Sequence, residues 1–227
     1  MVLARMAALA LFASFFAAFA CAQQPQLEAV LTQMDEASTH FKSASADFSW
    51  DQYQSVVDEH DIQTGKIYFR RNSHETQMAL DIEKPATKKV VFSNGKLSLF
   101  QPKINQITEK DTGANREAVE SFLVLGFGGR GHDLLKTYDV TYSGTEKIGS
   151  TDTVKLELIP KAPSVRKMFN KIIVWVDPKQ DISLKQQAFE PSGDYRIATY
   201  TAIKLNPHIS DDTFKIKSDS ATKIVRQ

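Results

Sequence analysis

One interruption limits what this chain can fold into. Most of the sequence alternates apolar and polar residues with the two-residue period of β-strands, but residues 115–138 (NREAVESFLVLGFGGRGHDLLKTY) do not. Ala118, Phe122 and Leu125 recur at helical spacing, Gly126, Gly128, Gly129 and Gly131 form a hinge, and Leu134 and Leu135 lie in a second short helical run. A core segment gains nothing from so many glycines, which give the backbone freedom that packing does not need. A greasy helical flap set into a sheet implies a sheet with a lid, and a lid implies an apolar space to be closed and opened.

The flanking sequence predicts what is covered. Residues 25–42 read as an amphipathic helix, with Leu27, Val30, Leu31, Met34, Ala37 and Phe41 at three- and four-residue steps and Pro25 near the first turn. The period then changes to two. Ala46, Phe48 and Trp50 form one strand face, Ile67 and Phe69 another, and Thr76, Met78, Leu80 and Ile82 a third. Asn94-Gly95 marks a hairpin between 88–93 and 96–100, because a type I′ turn needs positive φ at both positions. Ile104 and Ile107 suggest a weaker strand after Pro102. Beyond the island, strands are expected at 140–143, 154–159, 171–176, 182–189, 195–203 and 213–216, with one helical turn within 163–169. About ten strands in antiparallel succession, with helices only at the start and middle, give an α+β fold. Such a sheet curls into an unclosed half-barrel, and the two helical segments are its available covers.

The first residues read as a secretory leader. Arg5 precedes the apolar run 6–19, and Ala20-Cys21-Ala22 gives the small-x-small pattern of signal peptidase, so residues 1–22 are expected to be removed before Gln23. The alternative is a lipid anchor on Cys21. If Cys21 leaves with the leader, the remaining chain has no cysteine, hence neither disulfide nor thiolate chemistry. Removing 22 residues from 227 leaves 205, the size of one domain, 23–227. The leader carries one arginine, so 27 Lys+Arg then face 27 Asp+Glu. That balance argues against nucleic acid as a partner.

The order of elements resembles the LolA-type outer-membrane lipoprotein carriers and their LolA/LolB superfamily. The resemblance rests on Ser45-Ala46-Asp47-Phe48 after the first helix, Gly65-Lys66-Ile67-Tyr68-Phe69-Arg70-Arg71, Ser93-Asn94-Gly95-Lys96 ahead of Pro102, and Ile172-Ile173-Val174-Trp175-Val176-Asp177 running on to Gly193-Asp194 and Thr213-Phe214. It implies an unclosed barrel of antiparallel strands with a helical lid over an apolar cavity. That cavity takes the acyl chains of lipoproteins, or other lipid cargo. A monomeric periplasmic carrier of this kind needs no cofactor. It receives cargo from an inner-membrane lipoprotein-releasing transporter and passes it to an outer-membrane acceptor. A lipid-sensing module or an anchored LolB-like receptor is the alternative. The family's lid-latching arginine would fall on Arg71, or on Arg70 if the register slips by one. Here Asn72-Ser73-His74-Glu75 stands where the family often has proline and an apolar cluster.

The residues themselves bear on these roles. Arg70 and Arg71 point to opposite faces of a regular strand, so one can donate to lid carbonyls while the other is solvated. Phe122, Leu123, Leu125 and Phe127 from the island, with Trp50, Phe69, Met78, Leu80, Leu97 and Leu99 from strands, are candidates for a cavity wall. The competing account for each is plain core packing, and a one-residue register error exchanges the two sets. The five histidines are scattered without metal-ligand spacing, and no nucleophile elbow is present. An enzyme is therefore the last of the readings.

Overall fold

The structure is a computed structural model that describes residues 26–72, 75–113, 116–123 and 125–227. The leader, its cleavage site and Cys21 lie outside the described residues. Helix α1 covers 26–38. Six strands follow: β1 (Ser43–Gln54), β2 (Glu59–Arg71), β3 (Thr76–Lys84), β4 (Lys88–Ser93), β5 (Lys96–Gln101) and β6 (Gln106–Asp111). Helices α2 (Arg116–Leu123) and α3 (Gly131–Thr137) come next, then β7 (Tyr138–Ile148), β8 (Thr151–Pro160) and the short α4 (Pro163–Arg166). The chain ends with β9 (Lys171–Asp177), β10 (Ile182–Phe189), β11 (Tyr195–Leu205) and β12 (Lys223–Arg226).

All twelve strands belong to one sheet in the order β12-β6-β5-β4-β3-β2-β1-β11-β10-β9-β8-β7. Every pairing is antiparallel except β12 on β6. The sheet never closes, since β7 and β12 each have a neighbour on one side only among the described residues. The Asn94-Gly95 turn has φ of 55° and 69°, which is the geometry its dipeptide requires.

Three local expectations need correction. Pro102–Ile104 is a 3₁₀ turn rather than part of a strand, and β6 begins only at Gln106, after Asn105 turns through positive φ. Proline at the first position of that turn supplies the φ a helix wants and no N–H that a strand partner could use. Residues 211–214 are also 3₁₀, started by the Ser210 hydroxyl accepting from the Asp212 N–H. β12 lies in a segment expected to carry no strand; its four residues add to β6 in parallel.

The sheet buries both faces over part of its width, and alternation along β2 to β4 shows how. Ile67, Phe69, Met78, Leu80 and Phe92 share one buried cluster with Phe48, Phe41 and Phe127. The intervening Ala79 and Val91, with Tyr68, pack on the other face under Ile209, Phe214 and Ile216. The helices sit on the first, inner face: Val30 and Met34 of α1 and Leu134 of α3 pack with Leu156, Leu158, Ile172 and Val174.

Candidate functional site

Residues from both halves of the sheet meet α2 around one apolar space. Trp50, Met78, Leu80 and Leu97 face Phe122 and Leu123 across a cavity of about 240 Å³. Strands as far apart in the sheet as β5 and β9 contribute to this wall, so the sheet curves around it. Polar atoms are few. The Tyr200 hydroxyl lies 3.5 Å from Gln186 Oε1, and Gln186 Nε2 donates to the Leu125 carbonyl at 2.6 Å, which ties the floor to the roof. Burial pushes the Tyr200 phenol above its ordinary value, so it stays neutral. The cavity adjoins an outer cleft of about 550 Å³, with which it shares Leu97, Phe122, Leu123, Phe169 and Arg196.

Other wall candidates sit elsewhere. Phe127 is buried in the plug of the roof, stacked on Phe69 with centroids 4.1 Å apart and edge-on to Tyr200 at 4.9 Å. Leu125 packs with Met34 of α1. Leu99 shares the Leu97 face of β5 but lies further along, opposite Val90. A greasy glycine-rich loop can be core after all, because its glycines let it lie close to the sheet.

Those glycines are closely packed. At Gly128, φ is +79°, and a Cβ there would stand 2.2 Å from the Phe41 ring; at Gly126, φ is +72°, and a Cβ would meet the Ser183 side chain at 2.4 Å. Neither position admits another residue without a shift. Gly131 lies similarly close to the Leu31 carbonyl of α1, whereas Gly129 faces open space. The loop is held by backbone: Ser183 N donates to Gly126 O at 2.7 Å, Gly128 N to Asp181 O at 3.2 Å, and Phe127 bridges Ile182. At least three of the four hinge candidates, Gly126, Gly128 and Gly131, are therefore points of close approach in this structure.

Arg71 ends β2 on the same face as Ile67 and Phe69. Its guanidinium donates to the Ser38 carbonyl at the end of α1 at 2.7 Å and to the Gly128 carbonyl of the loop, and it lies over the Phe41 ring at 5.4 Å. One planar fork thus spans both halves of the roof. Arg70 faces the other way, and it is not left to solvent. It donates to Asp211 at 2.6 Å and Gln77 at 2.8 Å and covers the Phe214 ring at 4.5 Å, fixing the C-terminal segment to the outer face.

Beneath the loop lies Asp181, fully buried, with neither carboxylate oxygen hydrogen-bonded. Burial pushes its carboxyl up to about 8; the Arg71 charge opposes this and Asp35 adds to it.

The roof has further ties that local sequence could not reveal. Glu75, in the segment that departs from the family pattern, is buried. It accepts from the N–H groups of Asn94 at 2.6 Å and Gly95 at 3.3 Å and pairs with Arg116 of α2 at 3.0 Å. Glu120 of α2 accepts from Thr76 N at 3.0 Å. His132 of α3 lies between two carboxylates of α1, with Nδ1 2.7 Å from Asp35 and Nε2 3.0 Å from Glu28. Those partners raise its pKa, Asp35 first and Glu28 next. The partners are 97 and 104 residues away, so no spacing in the sequence signals them.

The family model of the outer membrane lipoprotein carrier protein LolA matches residues 39–217. The chain belongs to the LolA family. The matched span runs from the end of α1 through the segment that Arg70 holds, and it includes α2, α3 and Arg71. No curated protein matches the sequence. Among solved structures, an uncharacterised conserved protein from Thermus thermophilus aligns with a TM-score of 0.56 at 9% identity, over 88% of this chain and 98% of that one. MucB aligns with a TM-score of 0.54 at 15% identity, over 88% of this chain and 66% of its own. MucB in the Pseudomonas aeruginosa MucA/MucB complex gives 0.50 at 15%, over 85% and 61%. This LolA-family chain therefore shares an open-sheet fold with proteins of which it spans between about three fifths and nearly all. Among its described residues no helix is long and apolar enough to cross a membrane.

Proposed function

We propose that the protein is an exported, periplasmic carrier that binds acyl chains of lipoproteins in the cavity under α2 and hands them on toward the outer membrane. In this reading it is a binding protein and not an enzyme. It takes cargo from an inner-membrane transporter and gives it to an outer-membrane acceptor, and cleavage before Gln23 leaves it without an anchor. The observation that carries the reading is an apolar cavity roofed by a helix, in a LolA-family chain, with a single arginine hydrogen-bonded to carbonyls on both sides of the roof. Acyl burial is worth about 0.8 kcal/mol per methylene, so even a small cavity supplies useful affinity.

Release then depends on the roof, and Arg71 is its latch. Charge-assisted hydrogen bonds contribute about 1.5–3 kcal/mol each. Two of them bias a closed state without making it permanent. The test is exchange of a fluorescent fatty-acyl probe. Arg71→Leu should speed exchange severalfold while the circular dichroism spectrum stays the same, and Leu123→Glu, which puts a charge in the wall, should weaken binding at least tenfold. Lysine at 71 should rescue only part of the slow exchange, because a point charge cannot span two carbonyls. Unaltered affinity and exchange in the leucine and glutamate variants would refute the reading.

A further inference from the structure

The wall of the cavity is uncharged except at its neck. Among the described residues that line it, Arg196 alone is charged, and Arg196 also lines the outer cleft. The cation therefore stands where the buried space meets the open one. It is held there by the sheet, since Arg196 pairs with Ala188 of β10 and Gln52 of β1, and by Phe169, whose ring its guanidinium covers at 5.6 Å.

Its bonding is incomplete. Glu190 Oε1 approaches an Arg196 terminal nitrogen at 3.0 Å, but that oxygen is buried without a hydrogen bond. The pair attracts as charges and is misaligned as donor and acceptor. Among the described residues Arg196 makes no other polar contact, which leaves most of its five N–H donors free toward the cleft. Lys110 and Lys167 stand on the same cleft, against Asp111 and Glu190. Three cations face two anions at the entrance to an otherwise uncharged space.

We infer that the cavity also takes single-chain amphiphiles with an anionic head, tail inward, the head resting on Arg196. The inference rests on the cavity being an acyl site. The shared chemistry is a carboxylate or phosphate on one alkyl chain, which a guanidinium fork grips with two parallel bonds. An anion there also gives the donors the acceptor geometry that Glu190 lacks. The cavity volume of about 240 Å³ bounds the tail: at roughly 30 Å³ per water-sized group it corresponds to about eight methylenes, so a ten-carbon chain fits with its head end in the adjoining cleft.

The test is displacement of the uncharged fluorophore N-phenyl-1-naphthylamine at pH 8 by decanoate, decyl phosphate, decanol and decyltrimethylammonium, each below its micelle concentration. Decanoate and decyl phosphate should compete at about tenfold lower concentration than decanol, the factor that one charge-assisted hydrogen bond supplies. The cationic amphiphile should compete worst. Their relative order tells carboxylate from phosphate as the better head. Arg196→Gln should bring both anions to the level of decanol. Glu190→Gln, which removes the competing carboxylate, should strengthen them further, and the two variants serve as independent checks if one is poorly folded. Equal competition by decanoate and decanol in the unaltered protein would overturn the proposal, as would a preference for anions that survives Arg196→Gln. Failure of the fluorophore and all four amphiphiles to bind would instead remove the acyl site itself, and this inference with it.

Discussion

Replacing Asp181 by asparagine should make the protein markedly more stable, and only above acid pH. The side chain is fully buried, neither of its oxygens is hydrogen-bonded, and its carboxyl is pushed up to about 8. An unfolded aspartate titrates near 3.9. Between those values the folded chain holds a proton that the unfolded chain has lost. The contribution is therefore fully present below about pH 4 and declines as pH rises toward 8. Each unit is about 1.4 kcal/mol, so three units make the deficit at pH 7 about 4 kcal/mol. Asparagine keeps the shape, carries no charge and tolerates the φ of 53° found here. Urea unfolding of both proteins at pH 4, 5.5, 7 and 8.5, extrapolated linearly, isolates the term, because other titrating groups cancel in the difference. The stabilities should coincide near pH 4 and diverge by roughly 4 kcal/mol at pH 7 in favour of Asp181→Asn. A difference that stays flat with pH, or shrinks as pH rises, would refute the reasoning.

Gly128→Ala should cost about 1–3 kcal/mol in thermal unfolding, since the new methyl meets the Phe41 ring and φ is +79°, whereas Gly129→Ala, facing open space, should change little. His132→Gln should loosen α3 against α1 at low pH. Asp35 and Glu28 raise the histidine's pKa, so its contribution is present below about 6.5 and is lost as pH rises through the higher folded value. Hydrogen exchange of the α3 amides, corrected for intrinsic rates, should show a difference between the two proteins at pH 5.5 that disappears by pH 8.5.

What could be read from the sequence was local. Alternation along β1 to β5, the Asn94-Gly95 turn and the break at the island each depend on neighbours a few residues apart, and each stands in the structure. Strand parity placed Arg70 and Arg71 on opposite faces, but which one faced the roof depended on the register of β2 against β3 and β1. Parity also cannot tell a residue beneath the cavity from one beneath the plug. Leu80 and Phe69 share an inner face, yet Leu80 lines space and Phe69 is covered by Phe127. Glu75 with Arg116, His132 with Asp35, and Arg196 with its cleft are products of chain crossings, and no spacing encodes them. β12 was invisible for the same reason: four residues gain a strand's hydrogen bonds only because β6 offers an edge.

The margin at β7 has a consequence for capacity. In a closed barrel, strand number and shear together fix the radius, so the interior has one size. Here the circumference is interrupted between β7 and β12 among the described residues, so strand number and shear do not fix one radius. If the protein carries acyl cargo as proposed, the girth it admits is governed less by the strands than by how many ties of the roof are surrendered, from Gln186 and Leu125 to Glu75 and Arg116. On that proposal a vessel built this way is graded by its fastenings, and cargoes of different bulk share it by undoing different numbers of them.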